Sequence, residues 1–238
     1  MDSIALRTRF LLAETARLAA AHGRAADAVT LIGVSKTHPA GSILEAVDAG
    51  LRHVGESYVQ EALDKIASLP GLPVVWHFVG RLQANKTAAV AANFDWVHAV
   101  DRLRIAERLN GQRPAGKAPL QCCIEVNLSG EQSKGGVSPE ELPALASAMA
   151  ALPRLQLRGL MALPAPTEDP ALQREPFARL RGLLESLRGE HPQLDTLSMG
   201  MSGDMDAAIA EGATLVRIGT ALFGPRVPRQ ALPGSEHE

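Results

Sequence analysis

The sequence has few cysteines, and their placement excludes a disulfide-stabilised protein. Only Cys122 and Cys123 occur among the 238 residues. They are adjacent on an apolar segment, so in an extended strand their side chains point to opposite faces and cannot easily pair. Thiols that stay reduced are typical of intracellular proteins, and we therefore predict a reducing, cytoplasmic location.

Long apolar runs, basic runs and metal-ligand spacings are missing as well. No segment approaches the roughly 18 apolar residues of a membrane span, and charged side chains interrupt the N-terminal segment where a signal peptide would need an apolar core. The formal net charge of −2 gives no attraction to nucleic acid. The seven histidines lie far apart and no HExxH or CxxC pattern occurs. We therefore predict no metal site, no membrane association and no nucleic-acid partner.

What the chain does contain is a regular alternation of strand-like and helix-like segments. Eight short apolar segments, from 29–34 to 214–224, are separated by stretches long enough for a helix, which favours parallel pairing. We predict an α/β fold, a single (β/α)8 TIM barrel over residues 1–224, with an amphipathic helix at 3–22 before the first strand and an irregular tail at 225–238. An open doubly wound sheet is the alternative, but no GxGxxG follows the first strand.

The segment GVSKTHP, residues 33–39, places Lys36 where the first strand ends. A barrel carries its active site at the carboxyl ends of its strands, so we expect the Lys36 amine in that site. A solvated loop lysine is the alternative interpretation. By the two-residue period of a strand, Lys36 shares the face of Val34.

The segments SMGMSGDM and RIGTALFG, which follow strands seven and eight, predict a phosphate site. A glycine-rich backbone with hydroxyl side chains before a helix is suited to an anion, and many barrels bind phosphate at this position. The alternative is an ordinary turn in which glycine and serine cap a helix. The candidate residues are Ser198, Gly200, Ser202, Gly219 and Thr220.

Arg217 lies between two apolar residues of strand eight and is expected to point into the barrel. An inward guanidinium needs a partner, which is either a carboxylate such as Glu125 or Glu56, or an acceptor atom of a ligand. A lysine amine, a phosphate site and an inward arginine together suggest pyridoxal 5'-phosphate. A Schiff-base aldolase would need only the first two. Tyr58 and His77 are predicted to be packing residues.

Seven segments spread nearly from end to end of the chain form a specific pattern: GVSKTHP, VGESYVQEALDKI, WHFVGRLQANKT, VNLSGEQSKGGV, LRGLMALPAP, LSMGMSGDMDAAI and VRIGTALFG. Through these segments the chain resembles the pyridoxal-phosphate homeostasis protein family. The resemblance implies a fold-type III barrel, like the N-terminal domain of alanine racemase; we expect no C-terminal β domain, because the ordered chain is predicted to end near residue 224. The resemblance further implies an aldimine on Lys36, phosphate contacts from Ser198, Gly219 and Thr220, and Arg217 near the pyridine nitrogen.

Two positions depart from the family pattern. Ser57 stands where the family usually has asparagine, which removes any amide contact to the cofactor, and Gly203 replaces the first of two aspartates. The second aspartate, Asp204, is expected to cap the helix that follows. Lys134 matches a family lysine that lies either near the cofactor or in an exposed loop.

Two functions from different classes fit these features. The first is a monomeric carrier that holds pyridoxal phosphate and passes it to apo-enzymes; the second is a fold-type III enzyme such as an amino acid racemase. We favour the carrier and predict no enzymatic activity. Racemisation needs a proton donor on each face of the substrate, and the sequence offers Lys36 for one face with no evident group for the other. The end of the ordered chain near residue 224 likewise leaves no room for the β domain of the racemases.

Overall fold

The computed structural model describes residues 3–129, 135–165 and 167–225. Eight parallel strands follow one another around a closed barrel, and β8 pairs with β1. This confirms the (β/α)8 prediction. The strands are β1 Thr30–Val34, β2 His53–Glu56, β3 Val75–Phe78, β4 Trp96–Val100, β5 Leu120–Glu125, β6 Leu155–Met161, β7 Thr196–Ser198 and β8 Leu215–Ile218. The helices are α1 Ile4–Ala21, α2 Ala40–Asp48, α3 Val59–Ser68, α4 Thr87–Asn93, α5 Leu103–Gln112, α6 Leu142–Ala150, α7 Pro170–Leu187, α8 Met205–Ala210 and α9 Thr220–Phe223.

The main apolar core lies between the outer face of the barrel and the helices. Strand residues that point outward, such as Val216 and Ile218 of β8, belong to this core. Cys122 lies in it too, whereas Cys123 points inward and packs in a small separate cluster with Met161. The two cysteines therefore occupy opposite faces, as predicted, and both are free.

Helix α1 precedes β1 and fills the place beside α2, α8 and α9 in the helical layer. The Ser3 hydroxyl accepts a hydrogen bond from the Leu6 N–H at 3.2 Å, which caps the first turn. The Arg7 guanidinium donates to the Leu222 carbonyl at 2.7 Å and so connects α1 to α9. The helix predicted before the first strand is thus part of the barrel's outer layer.

The chain after β8 forms a short helix where the sequence analysis predicted a loop. The strand ends at Ile218, and Gly219 leaves extended geometry with φ −105° and ψ −86°. Its carbonyl accepts the N–H groups of Leu222 and Phe223 at 2.9 Å, so helix α9 begins at once. Most of the predicted tail lies outside the described residues, as does Lys134. Among the described helices, none is both long and apolar enough to cross a membrane.

Candidate functional site

Lys36 follows β1 by two residues and lies at the carboxyl-terminal rim, the end of the barrel where all strands finish. It is half-buried and lines a cavity of about 1090 Å³, which we call the Lys36 cavity. The other walls come from the segments after β2 and β3 and from the ends of β4 and β5. They include Ser57, Tyr58, Gly80, Arg81, Lys86, Ala99, Arg102 and Glu125.

The backbone on both sides of Lys36 is held by charged side chains of α3. Thr37 has φ +66°, a left-handed conformation that is costly for a β-branched residue. Its N–H donates to the Glu61 carboxylate at 2.6 Å. On the other side, the Lys65 ammonium donates to the Ser35 carbonyl at 2.8 Å. Lys36 therefore stands between two residues that α3 fixes in place.

The same ammonium joins these contacts into one group, the Lys65 cluster of Lys65, Glu56, Glu61 and Ser35. Lys65 Nζ lies 2.6 Å from Glu56 and 2.8 Å from Glu61, and the Ser35 hydroxyl donates to Glu56 at 2.5 Å. Burial raises the pKa of Glu56, although Lys65 acts against that rise. The sequence interpretation missed this cluster; its one visible signal is the i, i+4 spacing of Glu61 and Lys65 on a helix.

Arg217 points into the barrel, as predicted, and is buried. Its guanidinium donates to the Ser198 hydroxyl at 2.6 Å and to the Ala162 carbonyl at 2.9 Å. Burial lowers the pKa of Arg217 to about 10, which still leaves it charged at neutral pH. Of the carboxylates considered as partners, Glu56 is bonded to Lys65, and Glu125 acts on Arg217 only through its charge. The two bonds above use two of the five N–H donors of a guanidinium.

The residues predicted to bind phosphate separate into two levels. Ser198 is fully buried, and its hydroxyl contacts His98 and Arg217 below the rim. Gly200 is buried with φ +94°, and a Cβ there would lie 2.6 Å from the Cβ of Ala208. The backbone carbonyl of Gly200 accepts a hydrogen bond from the backbone N–H of Arg217 at 3.0 Å, so this glycine helps to join β7 to β8.

The upper level consists of Ser202, Gly219 and Thr220. Ser202 and Thr220 are exposed at the rim, and Gly219 is half-buried. A Cβ on Gly219 would lie 3.5 Å from the Val34 carbonyl oxygen, which shows how closely the turn after β8 approaches the end of β1. The barrel thus places these residues on the side of the rim that also carries Lys36.

Two smaller expectations are wrong. Asp204 occupies the position before α8 but makes no side-chain cap bond; its carboxylate accepts the Met201 N–H at 2.5 Å instead. Tyr58 is not buried packing, since it is 45% exposed and lines the Lys36 cavity. Ser57 lines this cavity as well, and a Cβ on Gly80 would lie 2.4 Å from the Ser57 carbonyl oxygen.

A chain of three histidines crosses the barrel interior beneath the site. His53 Nδ1 lies 2.9 Å from His77 Nε2, His77 Nδ1 lies 2.9 Å from His98 Nε2, and His98 Nδ1 lies 2.7 Å from the Ser198 hydroxyl. His77 is therefore a satisfied core histidine, as predicted, but the chain it belongs to was not foreseen. Burial lowers the pKa of all three, that of His98 to about 3 with a further contribution from Arg217. In the described part of the chain, no three His, Cys, Asp or Glu side chains converge as metal ligands.

Comparisons with known proteins agree with the barrel fold. Residues 12–227 match the alanine racemase N-terminal domain family. A protein of Pseudomonas aeruginosa named pyridoxal phosphate homeostasis protein is 57% identical over 226 residues, which cover 95% of this chain and 97% of that protein. The chain belongs to the pyridoxal phosphate homeostasis protein family. A second member, from Escherichia coli strain K12, is 54% identical over 207 residues, 86% of this chain and 88% of its own.

A structure of PipY from Synechococcus elongatus, described as having pyridoxal phosphate bound, is similar as well. It is 41% identical, has a TM-score of 0.79, and matches 90% of this chain and all of its own. Segments that carry the family resemblance lie at the carboxyl ends of β1, β2, β3, β7 and β8 or directly after them. The family pattern is thus concentrated at the carboxyl-terminal rim, where the Lys36 cavity opens.

Proposed function

We propose that this protein binds pyridoxal 5'-phosphate as an aldimine on Lys36, and that it keeps and delivers the cofactor without a reaction of its own. The Lys36 amine would condense with the cofactor's aldehyde carbon and release one water. The names of the relatives and the cofactor described in PipY support this proposal. Apo-enzymes that use the cofactor are the proposed recipients.

The observation that carries the proposal is the position of Lys36. It lines a cavity of about 1090 Å³, and its two neighbours are fixed by the Lys65 cluster. Because the backbone on both sides of Lys36 is already ordered, forming a covalent bond costs little further backbone entropy, and only the side chain remains to be ordered. A solvated loop lysine would not need this support.

The turn after β8, which closely approaches the end of β1, offers partners for the remaining groups of the cofactor. We assign the phosphate to the turns after β7 and β8, with the Ser202 and Thr220 hydroxyls and the Gly219 backbone as contacts. Ser198 and Gly200 would act from below by shaping these turns. We assign the pyridine nitrogen to Arg217. Because that guanidinium has a pKa of about 10 and stays charged, it would donate a hydrogen bond and leave the ring nitrogen unprotonated.

An unprotonated ring nitrogen weakens the electron sink on which many pyridoxal reactions depend. This supports a carrier over an enzyme. One observation favours the racemase alternative, since Tyr58 and Glu125 line the same cavity as Lys36. Burial raises the pKa of Glu125, so its carboxyl holds a proton more readily than an exposed one. Incubation of the loaded protein with L-alanine or L-serine, followed by chiral chromatography, should show no enantiomer above the level of free cofactor. Sustained turnover would overturn the carrier proposal.

The proposal is tested by loading and transfer. Purified protein mixed with the cofactor should develop a visible absorbance band, and should restore activity when added to an apo-enzyme that depends on the same cofactor. Lys36→Ala should abolish both. Lys86→Ala is the matched control, because Lys86 also lines the cavity but is exposed, whereas Lys36 is half-buried. If Lys36→Ala kept the band and Lys86→Ala lost it, the assignment of the anchor would be wrong.

A further inference from the structure

The histidine chain His53, His77 and His98 is unusual in position, because barrel interiors are mostly filled by layers of apolar side chains. His77 and His98 are completely buried, whereas His53 is half-buried. The chain begins at the first residue of β2, near the amino-terminal end of the barrel, and reaches Ser198, the last residue of β7. It therefore runs through the barrel toward the rim.

At the upper end of the histidine chain, the Ser198 hydroxyl contacts both His98 and Arg217. A guanidinium can only donate hydrogen bonds, so the Ser198 oxygen accepts from Arg217. The hydroxyl hydrogen is then available for His98, and Nδ1 of His98 is the atom within reach, at 2.7 Å.

This arrangement gives the chain one direction. A neutral imidazole has one donor nitrogen and one acceptor nitrogen. If His98 accepts at Nδ1, it donates from Nε2 to Nδ1 of His77, and His77 donates from Nε2 to Nδ1 of His53. Every hydrogen bond then has one donor and one acceptor, and bonds that point the same way strengthen one another. In the reverse direction Ser198 would accept twice, and its own hydrogen would need a further acceptor.

We propose that His98, supported by His77 and His53, is a positioning residue for Arg217. The imidazole chain, in the tautomer with hydrogen on each Nε2, fixes the Ser198 hydroxyl so that its lone pair faces the guanidinium. The Ala162 carbonyl holds the other side of that group at 2.9 Å. Arg217 is thereby presented in one orientation to the ring nitrogen of the cofactor. The proposal rests on the function proposed above.

Two substitutions of His98 separate positioning from packing. In His98→Asn the amide lies close to the place of Nδ1, so the contact with Ser198 is kept and the contact with His77 is lost. In His98→Gln the longer amide reaches the place of Nε2, so the contact with His77 is kept and the contact with Ser198 is lost. Both replace a buried imidazole with a neutral amide. We expect His98→Gln to weaken cofactor binding about tenfold and to shift the visible band, and His98→Asn to stay within about threefold of wild type.

His191→Gln is the control, since His191 is a buried histidine outside the barrel interior, 3.4 Å from Ser147. It should bind the cofactor as wild type does. In an Arg217→Ala background, His98→Gln should cause no further loss, because two residues that act through one contact are not additive. An equal loss in both backgrounds, or equal affinity of the two His98 variants, would overturn the positioning role.

Nitrogen NMR of the histidine rings in the cofactor-free wild type tests the same inference without any substitution. Each of the three rings should carry its hydrogen on Nε2, and hydrogen on Nδ1 of His98 would overturn the inference even if both variants failed to fold. If wild-type protein bound no cofactor, the proposed function would fail and the positioning role with it. Normal wild-type binding together with unaffected His98→Gln binding would refute the positioning role alone.

Discussion

Acidification should destabilise the folded protein because the histidine chain is neutral when buried. Burial, followed by the charge of Arg217, lowers the pKa of His98 to about 3. A histidine in the unfolded chain has a pKa of about 6.5, so between these two values the unfolded state binds more protons than the folded state. The contribution of His98 to the free energy of unfolding must therefore fall as the pH falls through this window.

The magnitude follows from the width of the window that is crossed. Each pH unit below about 6.5 contributes about 1.4 kcal/mol per histidine that stays neutral when folded. For His98 this amounts to about 2 kcal/mol between about pH 8 and about pH 5. His77, whose pKa burial lowers well below its usual range, should contribute in the same direction.

Denaturant unfolding of wild type and His98→Asn across this pH range measures the effect. The comparison with a variant is needed because burial raises the pKa of Glu56 and Glu125, and these carboxyls act in the opposite direction on acidification. Asparagine does not titrate, so His98→Asn should lose about 2 kcal/mol of the pH dependence. Parallel curves for the two proteins would refute the assignment of a neutral His98.

Further predictions concern the Lys65 cluster and two glycines. Lys65→Met should lower the free energy of unfolding by about 3–5 kcal/mol, because it leaves the buried Glu56 carboxylate without its ammonium partner. Chemical denaturation measures this loss, and a loss below about 1 kcal/mol would contradict the prediction. Gly159→Ala should destabilise by about 3 kcal/mol or more, since its Cβ would lie 1.8 Å from the Thr196 carbonyl oxygen. Gly182 lies in the exposed part of α7, and a Cβ there would meet no neighbouring group within 4 Å. Gly182→Ala should therefore stabilise the protein by about 0.5–1 kcal/mol. Thermal unfolding of the two glycine variants should show a lower melting temperature for Gly159→Ala and a higher one for Gly182→Ala.

The sequence alone was sufficient to predict the barrel and the place of Lys36. Alternation of eight apolar segments with helix-length stretches leaves few topologies, and in a parallel barrel all strands end at one rim. Residue parity then placed Arg217 inside and separated Cys122 from Cys123, as the structure confirms. These results depend only on periodicities within single elements.

Contacts between elements could not be predicted in the same way. The bond between His98 and Ser198 joins residues 100 positions apart in sequence, and it depends on how β4 faces β7 across the closed barrel. The Lys65 cluster likewise depends on how α3 lies against the end of β1. The sequence interpretation placed Ser198 among the phosphate ligands, because the glycines and hydroxyls around it resemble an anion site. It did not foresee that the Ser198 hydroxyl is buried and contacts His98 and Arg217.

The anchoring of pyridoxal phosphate on Lys36 is the central claim, and one measurement tests it most directly. The loaded protein is reduced with borohydride, digested, and examined by tandem mass spectrometry for a lysine that carries the reduced cofactor. The account predicts that the label is found on Lys36 and that the visible band disappears on reduction. A label distributed over exposed lysines, or concentrated on Lys86 with Lys36 unmodified, would contradict it.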